Sequence, residues 1–268
     1  MGAEDARPTG QRGFGVVAAL ADHVLGEVAR AAETAGYRTF WVNDGPGRDG
    51  LAALRAAADA TTAIRLGVGL IPFDRRSPEQ IAARIGELQL PVERLTLGVG
   101  AGGARGGLAQ VRDGVMALRD QTAATVVVGA LGPKMTRLAV EVADGVLVDW
   151  PTPTHARAVR RLVGQVAAEA GRSRPDIIGY VFTALGAAGR GRLQANADYY
   201  GAVPAYAAHF QRMDAAPMEA AVVGETPEQI RYGLSAFDAE LDETVVRATV
   251  SEDSADAYLA VLAAAAPT

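Results

Sequence analysis

Strand-like and helix-like segments alternate along this chain almost without exception, and that alternation points to a parallel sheet joined by helical crossovers. Eight runs have the apolar, β-branched character of strands, at about 14–18, 39–43, 64–70, 94–98, 125–128, 145–149, 177–184 and 244–250. Helical spacing of apolar residues predicts helices at about 22–35, 50–60, 78–89, 105–120, 133–143, 153–170 and 189–212, with further helices near 226–240 and 253–264. Eight strands, each followed by a helix, give the order of a (β/α)8 barrel, and 268 residues is close to the ~250 typical of that fold. An open doubly wound sheet is the alternative, which the strand count disfavours.

Composition narrows the chemistry. With no cysteine the chain has no disulfide framework, no thiolate metal site and no cysteine nucleophile. Histidines at 23, 155 and 209 are too scattered to suggest a metal cluster, so no metal is expected. The net charge is −5, with acidic and basic residues interspersed, which argues against a nucleic-acid surface while leaving room for a locally basic site. No apolar run approaches the ~20 residues needed to cross a bilayer, and residues 1–8 lack an apolar signal core; a cytoplasmic protein with no membrane partner is expected.

In a barrel, function is read from the residues just after each strand. The most informative is the run Val126 to Met135, where a buried strand opens through Gly129 and Gly132 into a helix start at Pro133. Free amides there favour a phosphate or carboxylate, although an ordinary strand-to-helix connection has the same spacing. Lys134, the only lysine of the chain, lies in this helix start. After strand two, Asn43-Asp44-Gly45-Pro46-Gly47 offers Asp44 to a ligand, or is simply a turn. Glycines in strand three, Gly67 and Gly69, suggest a bulge or close approach by a ligand. The run from Gly98 to Gly107 is a weak phosphate cradle, lacking both the Walker lysine and the dinucleotide pattern. Asp149-Trp150 puts a carboxylate and an indole at the rim after strand six, with capping of the next helix as the plainer role for Asp149. Residues 190–227 form a helical insertion after strand seven that carries Tyr199, Tyr200, Tyr206, His209, Phe210 and Met213. It is read as a lid or substrate wall, as packing against the barrel, or as a subunit interface. No nucleophile with an adjacent base and no carboxylate pair is evident, so a bound cofactor is expected to do the chemistry.

Four of these pieces together resemble the luciferase-like monooxygenase superfamily, and within it the oxidoreductases that use the deazaflavin coenzyme F420. The strongest is Gly129-Ala130-Leu131-Gly132-Pro133-Lys134-Met135 continuing to Ala143-Asp144-Gly145. The others are Ala35 to Asp44, Ile64 to Gly69 with Arg76-Ser77-Pro78, and Arg94 to Gly100. The resemblance implies one TIM-barrel domain over residues 1–268, bacterial-luciferase-like, with the cofactor ring at the C-terminal mouth. It implies a non-prolyl cis peptide at Gly69-Leu70 behind the ring, with Asp44 close by. It further implies that the amides of Gly129, Ala130, Leu131 and Gly132 receive the phosphate-bearing side chain, with Gly100, Ala101 and Gly102 nearby and Lys134 adding charge. Relatives are commonly homodimers, which is the expectation here.

The chain departs from the family at three places. Gly45 stands where many relatives have a histidine, Ile71 replaces a polar residue, and the stretch from Gly107 to Thr125 is shortened. No catalytic residue is therefore assigned. The expected function is hydride transfer between F420 and an unidentified small organic substrate. An FMN-dependent reductase or monooxygenase of the same fold, and a non-catalytic barrel that binds a cofactor or partner, are the alternatives.

Overall fold

Nine parallel strands in the computed structural model, which describes residues 10–103 and 107–267, form one sheet that closes on itself. They are β1 (Gln11–Val16), β2 (Thr39–Val42), β3 (Arg65–Pro72), β4 (Leu95–Gly100), β5 (Thr125–Gly129), β6 (Gly145–Asp149), β7 (Asp176–Leu185), β8 (Val222–Gly224) and β9 (Glu243–Ala248). Strands β1 to β7 pair in sequence order, and β9 closes the ring by pairing with both β7 and β1. The fold is an eight-stranded (β/α)8 barrel.

Helices α1 (Asp22–Thr34), α2 (Gly50–Ala60), α3 (Pro78–Glu87), α4 (Gly107–Arg119), α5 (Pro133–Val142) and α6 (Pro153–Glu169) follow the first six strands in turn. Two helices, α7 (Gly186–Ala202) and α8 (Pro204–Met213), follow β7, then α9 (Pro227–Asp238) follows β8 and α10 (Ala255–Ala264) follows β9. Local chemistry fixes several starts. Ser77 and Gln80 form a capping box at α3, and Asp49 accepts from the amides of Leu51 and Ala52 at α2.

Two expectations need correction. The helix read over 189–212 is two helices, because Pro204 has no N–H to continue the first and opens the second. The ninth strand was missed because β8 has only three residues. It is not a barrel stave. Thr183 of β7 pairs with Ala248 of β9 on one side and Val222 of β8 on the other, and β6 takes that second side lower down, from Asp176 to Tyr180. Thus β8 lies beyond the end of β6 and ties the insertion to the sheet.

The barrel interior explains the glycines of β3. A side chain at Gly67 would collide with the Trp41 indole, and a Cβ at Gly69 would come within 2.7 Å of the Tyr180 hydroxyl. Trp41 and Tyr180 meet edge to face at 5.5 Å, so two large rings fill the middle of the barrel where β3 contributes no bulk.

The N-terminal face is sealed by arginines. Arg174 holds Asp242 through two bonds of 2.6 and 2.8 Å, and the Ile177 amide donates a third at 2.8 Å. Arg12 pairs with Asp238 at 2.6 Å, and Arg38 pairs with Asp176 at 3.0 Å. Burial alone would raise the Asp242 carboxyl, but the Arg174 guanidinium and the Ile177 amide outweigh it and hold the group below its ordinary 3.8. A carboxylate lowered on folding contributes stability above its unfolded value and loses it as the pH falls through the folded one. Asp242→Asn is therefore expected to cost about 3 kcal/mol at pH 7 in urea denaturation. The variant should also lose part of the wild-type fall in stability below about pH 3.8.

Candidate active site

A cavity of about 400 Å³ opens at the C-terminal ends of the strands. Such a volume suits a small ligand. Three of the residues that the resemblance assigns to the cofactor line it: Asp44 after β2, and Gly69 and Leu70 on β3. The Gly69-Leu70 peptide is cis, as the resemblance implies, and the β3–β4 register shifts between Val68 and Ile71. The carboxylate of Asp44 is already engaged, accepting from the Gly50 amide at 2.8 Å and pairing with Arg75. It braces the wall of the cavity and the start of α2.

The other residues assigned to the cofactor lie outside this cavity. The Leu70 side chain packs over Gly129 and Gly100, where added Cβ atoms would meet it, so the close approach at these glycines comes from the protein itself. In the β4–α4 loop, Ala101 is half-buried and Gly102 exposed, and the neighbouring Gly103 amide donates to Asp74 at 2.8 Å; Ala104, Arg105 and Gly106 lie outside the described residues. Ala130 is buried, and its amide donates to the Leu147 carbonyl at 2.9 Å. The Leu131 carbonyl accepts from Arg212 at 2.9 Å and faces His209 Nδ1 at 3.0 Å. Gly132 is the N-cap of α5 with no side chain capping it, and exposed Lys134 borders a shallow groove with Arg212 and Leu108.

The insertion covers one side of the mouth. Trp150 stacks on Phe182 at 4.0 Å, and Tyr200 and Phe210 pack against Trp150 at 5.5 and 5.9 Å. This cluster holds Trp150 at φ 50°, a region that bulky residues seldom adopt. Tyr200 and Tyr206 line the cavity, whereas Tyr199 points outward and is 67% exposed. The insertion thus both packs on the barrel and walls the cavity.

Asp149, named from sequence with a capping role as the plainer reading, does not cap α6. Thr152 does, accepting from the His155 amide at 3.1 Å. Asp149 instead accepts from the Tyr206 hydroxyl at 2.7 Å on Oδ2, while its Oδ1 is sealed from solvent without a partner. Burial pushes its carboxyl up to about 6, despite the Tyr206 bond and the charge of Arg247.

Sequence reading missed Tyr180, Arg192, Arg247 and Tyr258, all of which line the cavity. Arg247 had a signal, being the one charge within the apolar run Thr244 to Val250. The histidines also come closer than their spacing suggests. The rings of His155 and His209 lie 5.0 Å apart, and His209 reaches from α8 to the carbonyls of Leu131 and Trp150. Among the described residues no group of three or more His, Cys, Asp or Glu is placed to hold a metal, and no helix is long and apolar enough to cross a membrane.

The family model described as luciferase-like monooxygenase matches residues 8–106 and 105–257. The chain belongs to that family. A 5,10-methylenetetrahydromethanopterin reductase of Methanolobus tindarius is 28% identical over an alignment of 202 positions that covers 61% of this luciferase-like chain and 62% of that relative. The match therefore spans about three fifths of the curated relative's length. The solved coenzyme F420-dependent tetrahydromethanopterin reductase from Methanopyrus kandleri superposes with a TM-score of 0.69 at 17% identity, covering 94% of this chain and 97% of that one. The oxygenating constituent of 3,6-diketocamphane monooxygenase from Pseudomonas putida, solved with FMN, gives 0.69 at 13% identity, covering 96% and 98%. At such identities these two structures speak for the fold.

The raised Asp149 carboxyl has a measurable consequence. A carboxyl raised on folding favours the native state only when protonated, so its contribution is lost as the pH climbs from 3.8 through about 6. Asp149→Asn is expected to raise the thermal midpoint at pH 7, with the gain vanishing toward pH 4. An equal change at both pH values would show that Asp149 does not titrate in this way.

Proposed function

We propose that this protein is an F420-dependent oxidoreductase that transfers a hydride between the deazaflavin and a small organic substrate at the barrel mouth. The observation that carries this reading is the cavity itself, three of whose lining residues each carry a buried polar atom without a partner: Asp149 Oδ1, Tyr180 Oη and Arg247 Nη1. Buried polar atoms are normally satisfied, so a cavity that gathers three orphans is built around a polar ligand. Leu70, Leu147 and Phe182 supply apolar wall beside them. A flat, polar-edged ring fits such a lining. Support for F420 over other ring cofactors comes from the F420-dependent neighbour, a reductase whose name the curated relative's resembles.

When bound, F420 would supply a two-electron hydride carrier. Gly69 and Leu70 would back the ring, and Asp44, fixed by Gly50 and Arg75, would keep its side of the wall rigid. The uncapped α5 start at Gly132, with Lys134 and Arg212 beside it, would hold the phosphate-bearing side chain, together with Gly129, Ala130 and Leu131 and the nearby loop Gly100-Ala101-Gly102. Tyr200 and Tyr206 would exclude water from their side of the mouth. With glycine at position 45, the Asp149 carboxyl would be the group that holds a proton for the substrate, with Tyr206 orienting it through Oδ2.

A second reading, an FMN-dependent monooxygenase, is supported by the FMN-bound structural neighbour. Titration separates the two. Purified protein is expected to bind F420 with a micromolar or tighter Kd by fluorescence, and to bind FMN far more weakly. A yellow preparation with flavin absorbance would favour FMN, and failure to bind F420 well above micromolar concentrations would sink the F420 reading.

A further inference from the structure

The cavity wall contains a buried positive charge that, among the described residues, no carboxylate contacts directly. Arg247, near the end of β9, is only 8% exposed, and its Nη1 has neither solvent nor a hydrogen-bond partner. No carboxylate pairs with it among the described residues. Its guanidinium carbon lies 6.0 Å from the centroid of the Phe182 ring, a contact that offsets only part of the lost hydration. Arg12, Arg174 and Arg192, by contrast, are matched by Asp238, Asp242 and Asp253. A buried guanidinium with no such match is costly unless a ligand completes it.

A second unsatisfied donor lies beside it. Across the β7–β9 ladder Tyr180 pairs with Val245 and Phe182 with Arg247, so Tyr180 and Arg247 are diagonal neighbours on the inner face. The Tyr180 hydroxyl is also sealed and unpartnered. Asp149 faces the same space from β6, but its Oδ2 takes the Tyr206 hydroxyl and it forms no ion pair with Arg247.

We propose that Arg247 and Tyr180 form an anchor for a small oxyanion, a carboxylate or a phosphate, inside the cavity. The planar guanidinium fork reads two oxygens at once, and the Tyr180 hydroxyl donates a third bond. The anion arrives on the substrate if the cofactor's phosphate sits at the α5 start as proposed above, or on the cofactor's phosphate-bearing chain if that chain enters the cavity instead. The proposal rests on the cavity being the active site, as in the function proposed above, and not on which cofactor binds there.

Calorimetric titration of the full, cofactor-free chain with inorganic phosphate and with malonate reads the anchor directly. Binding of at least one of them is expected, weakened about tenfold in Arg247→Gln and several-fold in Tyr180→Phe, with Arg247→Lys intermediate. Circular dichroism checks folding, and if Arg247→Gln does not fold, Arg247→Lys and Tyr180→Phe decide. Absence of binding by either anion, or equal binding by the folded variants, overturns the anchor. F420 then identifies the source. Competition between F420 and phosphate, with F420 affinity lowered in Arg247→Gln, assigns the anchor to the cofactor's phosphate. Continued phosphate binding by the F420-loaded protein, with F420 affinity unchanged in the variant, assigns it to a substrate anion. Loss of F420 binding altogether, with the anion titration intact, would remove the cofactor reading and leave the anchor standing.

Discussion

The Trp41 indole lies over Gly67, in the space that β3 leaves empty, and donates its Nε1 proton to buried Glu243 at 2.8 Å. Much of the barrel interior is organised around that placement. Burial raises the Glu243 carboxyl even though Trp41 and Thr39 donate to it, so the pair fixes the indole at some electrostatic cost. Trp41 in turn packs edge-on against Tyr180, whose hydroxyl comes up over Gly69. A closed parallel barrel must fill its own centre with inward side chains. Here it does so with two rings, and the second ends in a polar group at the floor of the cavity.

The cover over the mouth depends on a different kind of order. Trp150 leaves the end of β6 in a left-handed conformation, which turns its ring inward to stack on Phe182. Tyr200 and Phe210 then have a flat surface to pack on, and Tyr206 is brought to Asp149. The same rings therefore stabilise the insertion and set the protonation of the one half-buried carboxyl in the cavity that is not already tied to an arginine. Stability and chemistry share residues here, as is common where a site stores local strain.

Much of this was legible in the sequence because the physics was local. Buried strands read as apolar runs, helices as apolar residues at helical spacing, and the start of α5 announced itself through Pro133. The cavity was less legible because its groups come from strands far apart in the chain. Asp149, Tyr180 and Arg247 are neighbours only after β6, β7 and β9 close the ring. The glycines were ambiguous for a related reason. Gly129 and Gly67 do mark close approaches, but what approaches is Leu70 and Trp41, and only tertiary structure distinguishes a side chain from a ligand. At β8, three residues carry too little pattern to announce a strand.

The short strand β8 bears on how molecules would pass in and out. It pins the far end of the insertion to β7 by sheet hydrogen bonds, while His209 and Arg212 fasten its middle to the Leu131 carbonyl. A segment held at both places cannot swing as a flap without breaking the sheet. Passage would then favour the rim after β1 and β2, where Val17, Asn43 and Arg48 border the cavity. Gating would fall to a few side chains there, on the fast timescale of rotamer motion rather than the slower one of a moving lid.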